Sequence, residues 1–517
     1  MFIREWNQFV QDIRGFFKTR RWLVALVGFT VCLVYGIRLV SEDLSIDTEL
    51  MLNDQGEVLG SWLGTGRFGL VLTKKLFGFL CLVPFTENLM MMVCLFGAAL
   101  FLSYGVWRWC GNKTAFRGMV GVLPVLFLTG PSFAEQFHFT LQAFPVAFSI
   151  WLAVAAALCL ERWALEAGSI GWLIPGVLCG AWSMGTYQVM AAFQIALLVM
   201  AYFLRISGEG KEKKWFLCGL QIAGGFTLAF LLNLLLANIL RVVTGEYLSY
   251  VTDQFRWEEG IRLCLHYIWN DVLRVLESRE IFYHDWTLEI LLVFTLLAMV
   301  RVFRSGTTTG RRWWGVVSVV CLMAAPFYLT IISGYYQPAR AQLVYPLAFA
   351  FWCSYLTTVD HKWIRRAALV LCLVISVNQA QVTTGLFRTA AEVSRNDVLF
   401  MNRIYARAEE VADTENMEDV AIVLVGRTEP VFSDDCLIGD TIGYSYFNWV
   451  DEELGVTGRT FTKNGLGKVL GMKYRGAEEA DCRIVESQAE GRPCWPAEDS
   501  VWKAGENLVG VKLGEMD

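Results

Sequence analysis

Long apolar blocks nearly free of charge, Trp22–Tyr35, Phe139–Leu160 and Trp215–Leu240 among them, constrain this chain more than any other feature. As helices, blocks of about 20 such residues cross a hydrocarbon core of roughly 30 Å. The blocks account for a composition that is 55% hydrophobic and only 18% charged, against about 25% charged in soluble domains. A soluble enzyme, a disordered chain and a nucleic-acid binder are thereby excluded. The net charge of -5 leaves no basic footprint for nucleic acid, and 4 His in 517 residues argue against a histidine-built metal site.

Charge-poor windows give about eleven spans. They run over 22–40, 87–107, 118–132, 139–160, 170–184, 187–205, 215–241, 286–303, 314–333, 341–359 and 364–382. The 118–132 window is short, and the pair at 170–205 is nearly continuous. No small-residue cleavage site follows the first run, which reads as a retained span rather than a signal peptide. Alternate connections are basic. They hold Arg4 to Arg21; Arg108, Lys113 and Arg117; Arg162; Arg205 to Lys214; Arg301 to Arg312; and Lys362 to Arg366. Basic loops stay in the cytoplasm, so the N-terminus is expected inside and the C-terminus outside. No internal repeat of the kind seen in many transporters is visible.

Three outward segments are long: Ser41–Thr86, Val243–Asp285 and Thr383–Asp517. The last holds 25 Asp/Glu against 14 Lys/Arg. In it Thr383–Asp413 reads as a helix, and Val420–Gly426 as a strand buried in a sheet core. The expected architecture is a polytopic α-helical membrane protein, residues 1–382, with a small extracytoplasmic α/β C-terminal domain, residues 383–517. Cys436, Cys482 and Cys494 lie outside the apolar blocks, and Cys482 with Cys494 offers a hairpin-like disulfide.

The first outward loop, 41–86, begins Ser41-Glu42-Asp43-Leu44-Ser45-Ile46-Asp47-Thr48-Glu49. Crowded carboxylates repel one another and rise in pKa unless cations or hydrogen bonds compensate. A carboxylate so poised serves as a general base; a solvated acidic loop is the plainer alternative. Three glycines around Arg67 in Gly64-Thr65-Gly66-Arg67-Phe68-Gly69 permit tight turns, and an arginine there suits a phosphate. A salt bridge to a loop acid is the competing role. Phe68–Phe85, with Lys74 and Lys75, reads as an interfacial amphipathic helix, its lysines snorkelling towards headgroups.

On these residues the chain resembles the bacterial type II membrane glucosyltransferases, the family of serotype-converting O-antigen enzymes. The resemblance rests on Glu42 to Glu49, on Trp62 to Gly69 and on Gly185-Thr186-Tyr187-Gln188. It continues through Pro338-Ala339-Arg340, Asn378 to Arg388, and Asp397. It implies a C-type glycosyltransferase that takes a sugar, glucosyl by family, from a polyprenyl-phosphate donor at the outer face of the bacterial cytoplasmic membrane. The acceptor would be an extracytoplasmic glycan or wall polymer, and a partner enzyme would make the donor. The catalytic acid is expected in the first outer loop: Asp47 first, then Asp43, then Glu49. Arg67 and Arg340 would stabilise the leaving phosphate.

Tyr187, Gln188, His138 and Arg388 are further substrate-binding candidates, with helix packing or an interfacial position as their alternatives. Arg38 and Arg340, at span ends, are expected to face polar cavities. Tyr335, Tyr336, Trp257 and Trp286 suit sugar stacking or an aromatic belt. No cofactor or metal is expected, since a monophosphate donor needs less charge neutralisation, although the three acids supply oxygens that suit a divalent cation. The rivals are a transporter or flippase of lipid-linked saccharides and a non-catalytic membrane scaffold for wall assembly.

Overall fold

The computed structural model describes the chain apart from residues 1, 42, 80, 112–115, 167, 209–213, 246–254, 278–286, 305–308, 360, 415, 429–435, 452, 454 and 516–517. It is mostly helical, because backbone polar groups in hydrocarbon are satisfied only within a helix or a closed barrel. In chain order the helices are α1 (Phe2–Thr19), α2 (Arg21–Tyr35), α3 (Thr48–Asn53), α4 (Gln55–Gly64), α5 (Phe68–Phe77) and α6 (Pro84–Trp109). Next come α7 (Arg117–Thr129), α8 (Ser132–Phe137), α9 (Thr140–Leu165), α10 (Leu173–Thr186), α11 (Met190–Gly208) and α12 (Trp215–Thr244). The membrane part closes with α13 (Ile261–Leu276), α14 (Thr287–Arg304), α15 (Thr309–Ala324), α16 (Tyr328–Ser333), α17 (Val344–Tyr355) and α18 (Lys362–Ala412).

Seven segments among the described residues are long and apolar enough to cross a membrane: 21–39, 84–109, 140–165, 190–207, 215–244, 309–333 and 362–412. Residues 117–129 and 170–186 form shorter apolar helices. The nearly continuous stretch at 170–205 is broken at Tyr187–Val189, between α10 and α11. Small residues let the helices approach closely. A Cβ on Gly97 of α6 would lie 2.9 Å from the Trp151 ring of α9. A Cβ on Gly69 of α5 would lie 2.5 Å from the backbone nitrogen of Thr186 at the end of α10.

At the end of the bundle where α6, α9 and α11 finish, Arg108 and Arg205 pair with Glu161 and Glu166. Beside them Arg162 stacks 4.6 Å from the Trp172 ring, and α1 packs Phe9 against Trp172 and Tyr104. Three arginines counted as loop charge therefore sit in an ion-pair and aromatic layer.

Two expectations change. The interfacial helix stops at Phe77, where Gly78 takes φ +75°, and Lys74 does not snorkel: it is buried and ion-paired with buried Glu87 at the start of α6. The helix expected from Thr383 is not separate. The 51-residue α18 runs unbroken from Lys362 to Ala412, so residue 382 falls inside a helix.

Beyond α18 lies a five-stranded sheet: β1 (Ala421–Val425), β2 (Val450–Asp451), β3 (Val456–Thr457), β4 (Val501–Gly505) and β5 (Leu508–Lys512), in the order β2-β3-β1-β5-β4. The Val420–Gly426 run is the central strand, parallel to β5 and antiparallel to β3. Side chains alternate along a strand. Ile422 and Leu424 join Met401, Ile404 and Ala408 of α18. Ala421, Val423 and Val425 pack with Cys482 and Val485 of a helix at Glu479–Ala489. Cys482 and Cys494 are free, so the bridge that their spacing offers is not formed.

Candidate active site

The loop that follows the first span folds into a turn and three short helices, α3 to α5, with the C-terminal domain seated on it. Tyr446 Oη donates to the Ser45 carbonyl at 2.7 Å, and Asn53 Nδ2 to the Asn464 carbonyl at 2.9 Å. The neighbouring α8 is held too: Glu135 accepts backbone N–H bonds from Asp440 at 2.8 Å and Thr441 at 3.0 Å.

The three candidate acids occupy three environments. Asp43 is fully buried and ion-paired with Arg38, itself 1% exposed. Ser41 Oγ donates to Asp43 at 2.8 Å, and His138 Nδ1 lies 3.2 Å from its other oxygen. Burial opposes ionisation of Asp43, but the Arg38 charge and His138 outweigh it and hold the carboxyl well below the usual range. Arg38 also donates to Thr140 Oγ1 at 2.6 Å and to the His138 carbonyl at 3.2 Å. The expected polar surroundings of Arg38 are thus a buried hydrogen-bond cluster, which its Nη1 and Nη2 join and its Nε does not.

Glu49 is sealed, its side chain 0% exposed. Burial pushes its carboxyl up to about 6, against the opposing pull of Arg459 at 3.1 Å and the Tyr446 hydroxyl at 2.8 Å. Asp47 differs from both, with a side chain 46% exposed and 3.0 Å from Arg459. Its φ of +70° is left-handed, a region that non-glycine residues enter at some cost and that recurs at functional sites. The acids do not converge as metal ligands would. Asp43 turns to Arg38 and His138, while Asp47 and Glu49 turn to Arg459.

A second cluster gathers Arg67, Tyr187 and Gln188 where the α4–α5 turn meets the break between α10 and α11. Arg67 Nε donates to Gln188 Oε1 at 3.3 Å, and its guanidinium lies 5.4 Å from the Tyr187 ring centre. Gln188 Nε2 donates to the Thr65 carbonyl at 3.0 Å, which fixes the amide. The glycine-rich turn is as tight as expected: Gly66 has φ +78°, and a Cβ there would lie 2.8 Å from Arg241 Nη2. Arg241 donates to the Gly64 carbonyl at 3.0 Å, so a second guanidinium lies beside this turn.

The remaining candidates separate from these clusters. Arg340 reaches Asp440 of the C-terminal domain at 3.5 Å and lies over the Phe139 ring at 5.5 Å; the ion pair ties α17's approach to the domain. Arg388 is exposed on α18, next to Phe387, whose ring takes the Arg38 guanidinium at 5.4 Å. Trp257 Nε1 is spent on the Ile331 and Ile332 carbonyls, and Tyr335 packs on Tyr267 and Tyr336. Trp286 and Glu42 lie outside the described residues.

Sequence reasoning missed Arg459 and the anchoring role of Tyr446. Both lie about 400 residues from the acids they touch, and neither stands in a motif that signals the contact.

Comparison with curated proteins and with solved structures finds no match. A family model does match. It spans residues 36–356, from the end of the first span to the end of α17, and so covers every first-loop acid, Arg67, His138, Tyr187, Gln188 and Arg340. With more than half of its length matched, this chain belongs to the glucosyl transferase GtrII family.

Proposed function

We propose that this protein transfers a glucosyl unit from a polyprenyl-phosphate carrier to a glycan or wall polymer on the outer face of the bacterial cytoplasmic membrane. Family membership supplies the glucosyl transfer. The seven long apolar helices and the shorter ones between them favour a donor presented within the membrane. The proposed topology has eleven spans, the N-terminus inside and the sheet domain outside.

The observation that carries the chemistry is the unequal burial of the first-loop acids. Asp43 and Glu49 are sealed, whereas Asp47 is half-exposed on a strained turn beside them. A base must reach the hydroxyl it deprotonates. Asp47 therefore takes the proton of an acceptor hydroxyl as that oxygen attacks the anomeric carbon. The bond from that carbon to the phosphate oxygen breaks, and its electron pair leaves with the polyprenyl phosphate. Arg67, oriented by Gln188 and Tyr187, neutralises the charge that builds on the leaving phosphate. Arg340 is assigned a tethering role through Asp440. A partner enzyme that charges the polyprenyl phosphate must supply the donor.

The test uses the full chain in lipid nanodiscs with glucose labelled either on a short-chain polyprenyl phosphate or on a nucleoside diphosphate. Label should pass to an envelope glycan fraction from the lipid-linked donor alone. Transfer from the nucleotide donor alone, or from neither, overturns the proposal.

A further inference from the structure

At the bundle end opposite the first-loop acids, a cleft of about 310 Å³ opens between the α1–α2 junction, the end of α6 and the start of α7. Arg20 and Arg117 line it, with Thr19, Trp22, Trp107 and Phe116. The volume is at the lower end of small-ligand sites, roughly 300–1,000 Å³. α2 and the turn after it run 19 residues, so the cleft stands about 28 Å from the acids.

The charges in this cleft are unbalanced. Elsewhere at the same bundle end, Arg108 and Arg205 are neutralised by Glu161 and Glu166. Among the described residues neither Arg20 nor Arg117 meets a carboxylate. Arg20 donates to Thr19 Oγ1 at 3.1 Å, and its guanidinium lies 4.5 Å from the Phe16 ring centre and 5.2 Å from that of Trp107. The Arg117 guanidinium is exposed and has no hydrogen bond or ion pair among those residues. Burial lowers the Arg20 pKa, and so does the neighbouring Arg117 charge. The two cations therefore repel each other, and an anion between them relieves the repulsion and accepts from both.

The wall says which anion. Trp22 is 54% exposed, with its ring against Gly121 of α7, where a Cβ would lie 2.9 Å away. From the cleft α2 and α7 both continue as apolar helices, which sets it at the depth where interfacial tryptophans meet lipid headgroups. A free phosphate makes no use of three aromatic rings, whereas a phospholipid carries apolar carbons beside its phosphate. We infer that this cleft binds the phosphate of an anionic phospholipid: Arg20 and Arg117 donate to its oxygens, and Trp22, Trp107 and Phe116 pack on its glycerol and first acyl carbons. By the topology proposed above, the lipid comes from the cytoplasmic leaflet, where anionic headgroups attract basic sites. The site is independent of the glucosyl-transfer reading.

The experiment is native mass spectrometry of the full chain in micelles titrated with phosphatidylglycerol, phosphatidylcholine or inorganic phosphate. Phosphatidylglycerol should bind saturably and more tightly than phosphatidylcholine. A basic residue at a membrane surface is worth about fivefold in anionic-lipid affinity, so Arg20→Gln with Arg117→Gln should weaken binding by about 30-fold. Arg4→Gln with Arg14→Gln removes as much charge from α1 outside the cleft, and should change it little because exposed charges at a distance are screened. Arg20→Lys with Arg117→Lys keeps both charges and should retain most of the affinity, so the test stays valid should the glutamine replacements unfold the chain. Equal binding of the two lipids overturns the site. So does indifference to the replacements at 20 and 117, an equal loss from those at 4 and 14, or displacement of the lipid by equimolar inorganic phosphate.

Discussion

Glu49 gives a prediction whose size and sign both follow from its surroundings. Its carboxyl is pushed up to about 6 by burial, from an ordinary 4.5, even with Arg459 and Tyr446 favouring the charged form. A group whose pKa is higher in the docked state binds its proton more tightly there. Its stabilising effect is complete below pH 4.5 and is lost as pH rises through 6. At about 1.4 kcal/mol per tenfold change in proton affinity, the loss is about 2 kcal/mol, or roughly 30-fold in the constant for lifting the C-terminal domain off the loop. Glu49→Gln keeps an acceptor for Tyr446 and removes the titration. Hydrogen exchange of the 445–451 amides, with variant and wild type compared at each pH, cancels the intrinsic rates. Asp43, Asp47, His138 and Asp397 are common to both proteins and cancel as well. Protection should be equal near pH 4.5, and about 30-fold higher in the variant at pH 7.5. Equal protection at both pH values, or a wild type better protected at pH 7.5, would refute the reasoning.

Asp43→Asn strands the buried Arg38 charge and should reduce stability by about 3–5 kcal/mol, seen as a lower Tm in nanodiscs; adding Arg38→Met should recover part of it. Gly69→Ala puts a Cβ 2.3 Å from Thr186 Oγ1 and should push α5 off α10 at a cost of about 1–3 kcal/mol, again read as Tm. Arg67→Ala removes a charge-assisted contact worth about 1.5–3 kcal/mol. It should weaken binding of a short-chain polyprenyl phosphate by about 10- to 100-fold.

The membrane helices were legible because hydrocarbon demands long uncharged runs, and β1 because Ala421–Val425 is apolar on both faces. The continuity of α18 was not. Thr383-Thr384-Gly385 looks like the end of a span, yet Thr383 and Thr384 spend their hydroxyls on the carbonyls of Thr129 and Ala380, and Leu437 packs 3.1 Å from the Cβ position of Gly385. Tertiary contacts carry the helix through a locally weak sequence. Lys74 misled for a similar reason. Its buried partner, Glu87, stands 13 residues on, beyond helical periodicity. The acidic loop announced itself by composition, but which acid stays open to solvent depends on Arg38, His138, Arg459 and Tyr446, which only the fold gathers there.

The central claim is that Asp47 is the base of a glucosyl transfer from a polyprenyl phosphate. Its most direct test is the turnover of Asp47→Asn with labelled short-chain polyprenyl-phosphate glucose, alongside donor binding. Asparagine keeps the size and much of the hydrogen bonding but cannot accept the proton. Turnover should fall by about 10²- to 10⁴-fold, with donor affinity nearly unchanged. Near-wild-type turnover in Asp47→Asn would contradict the account.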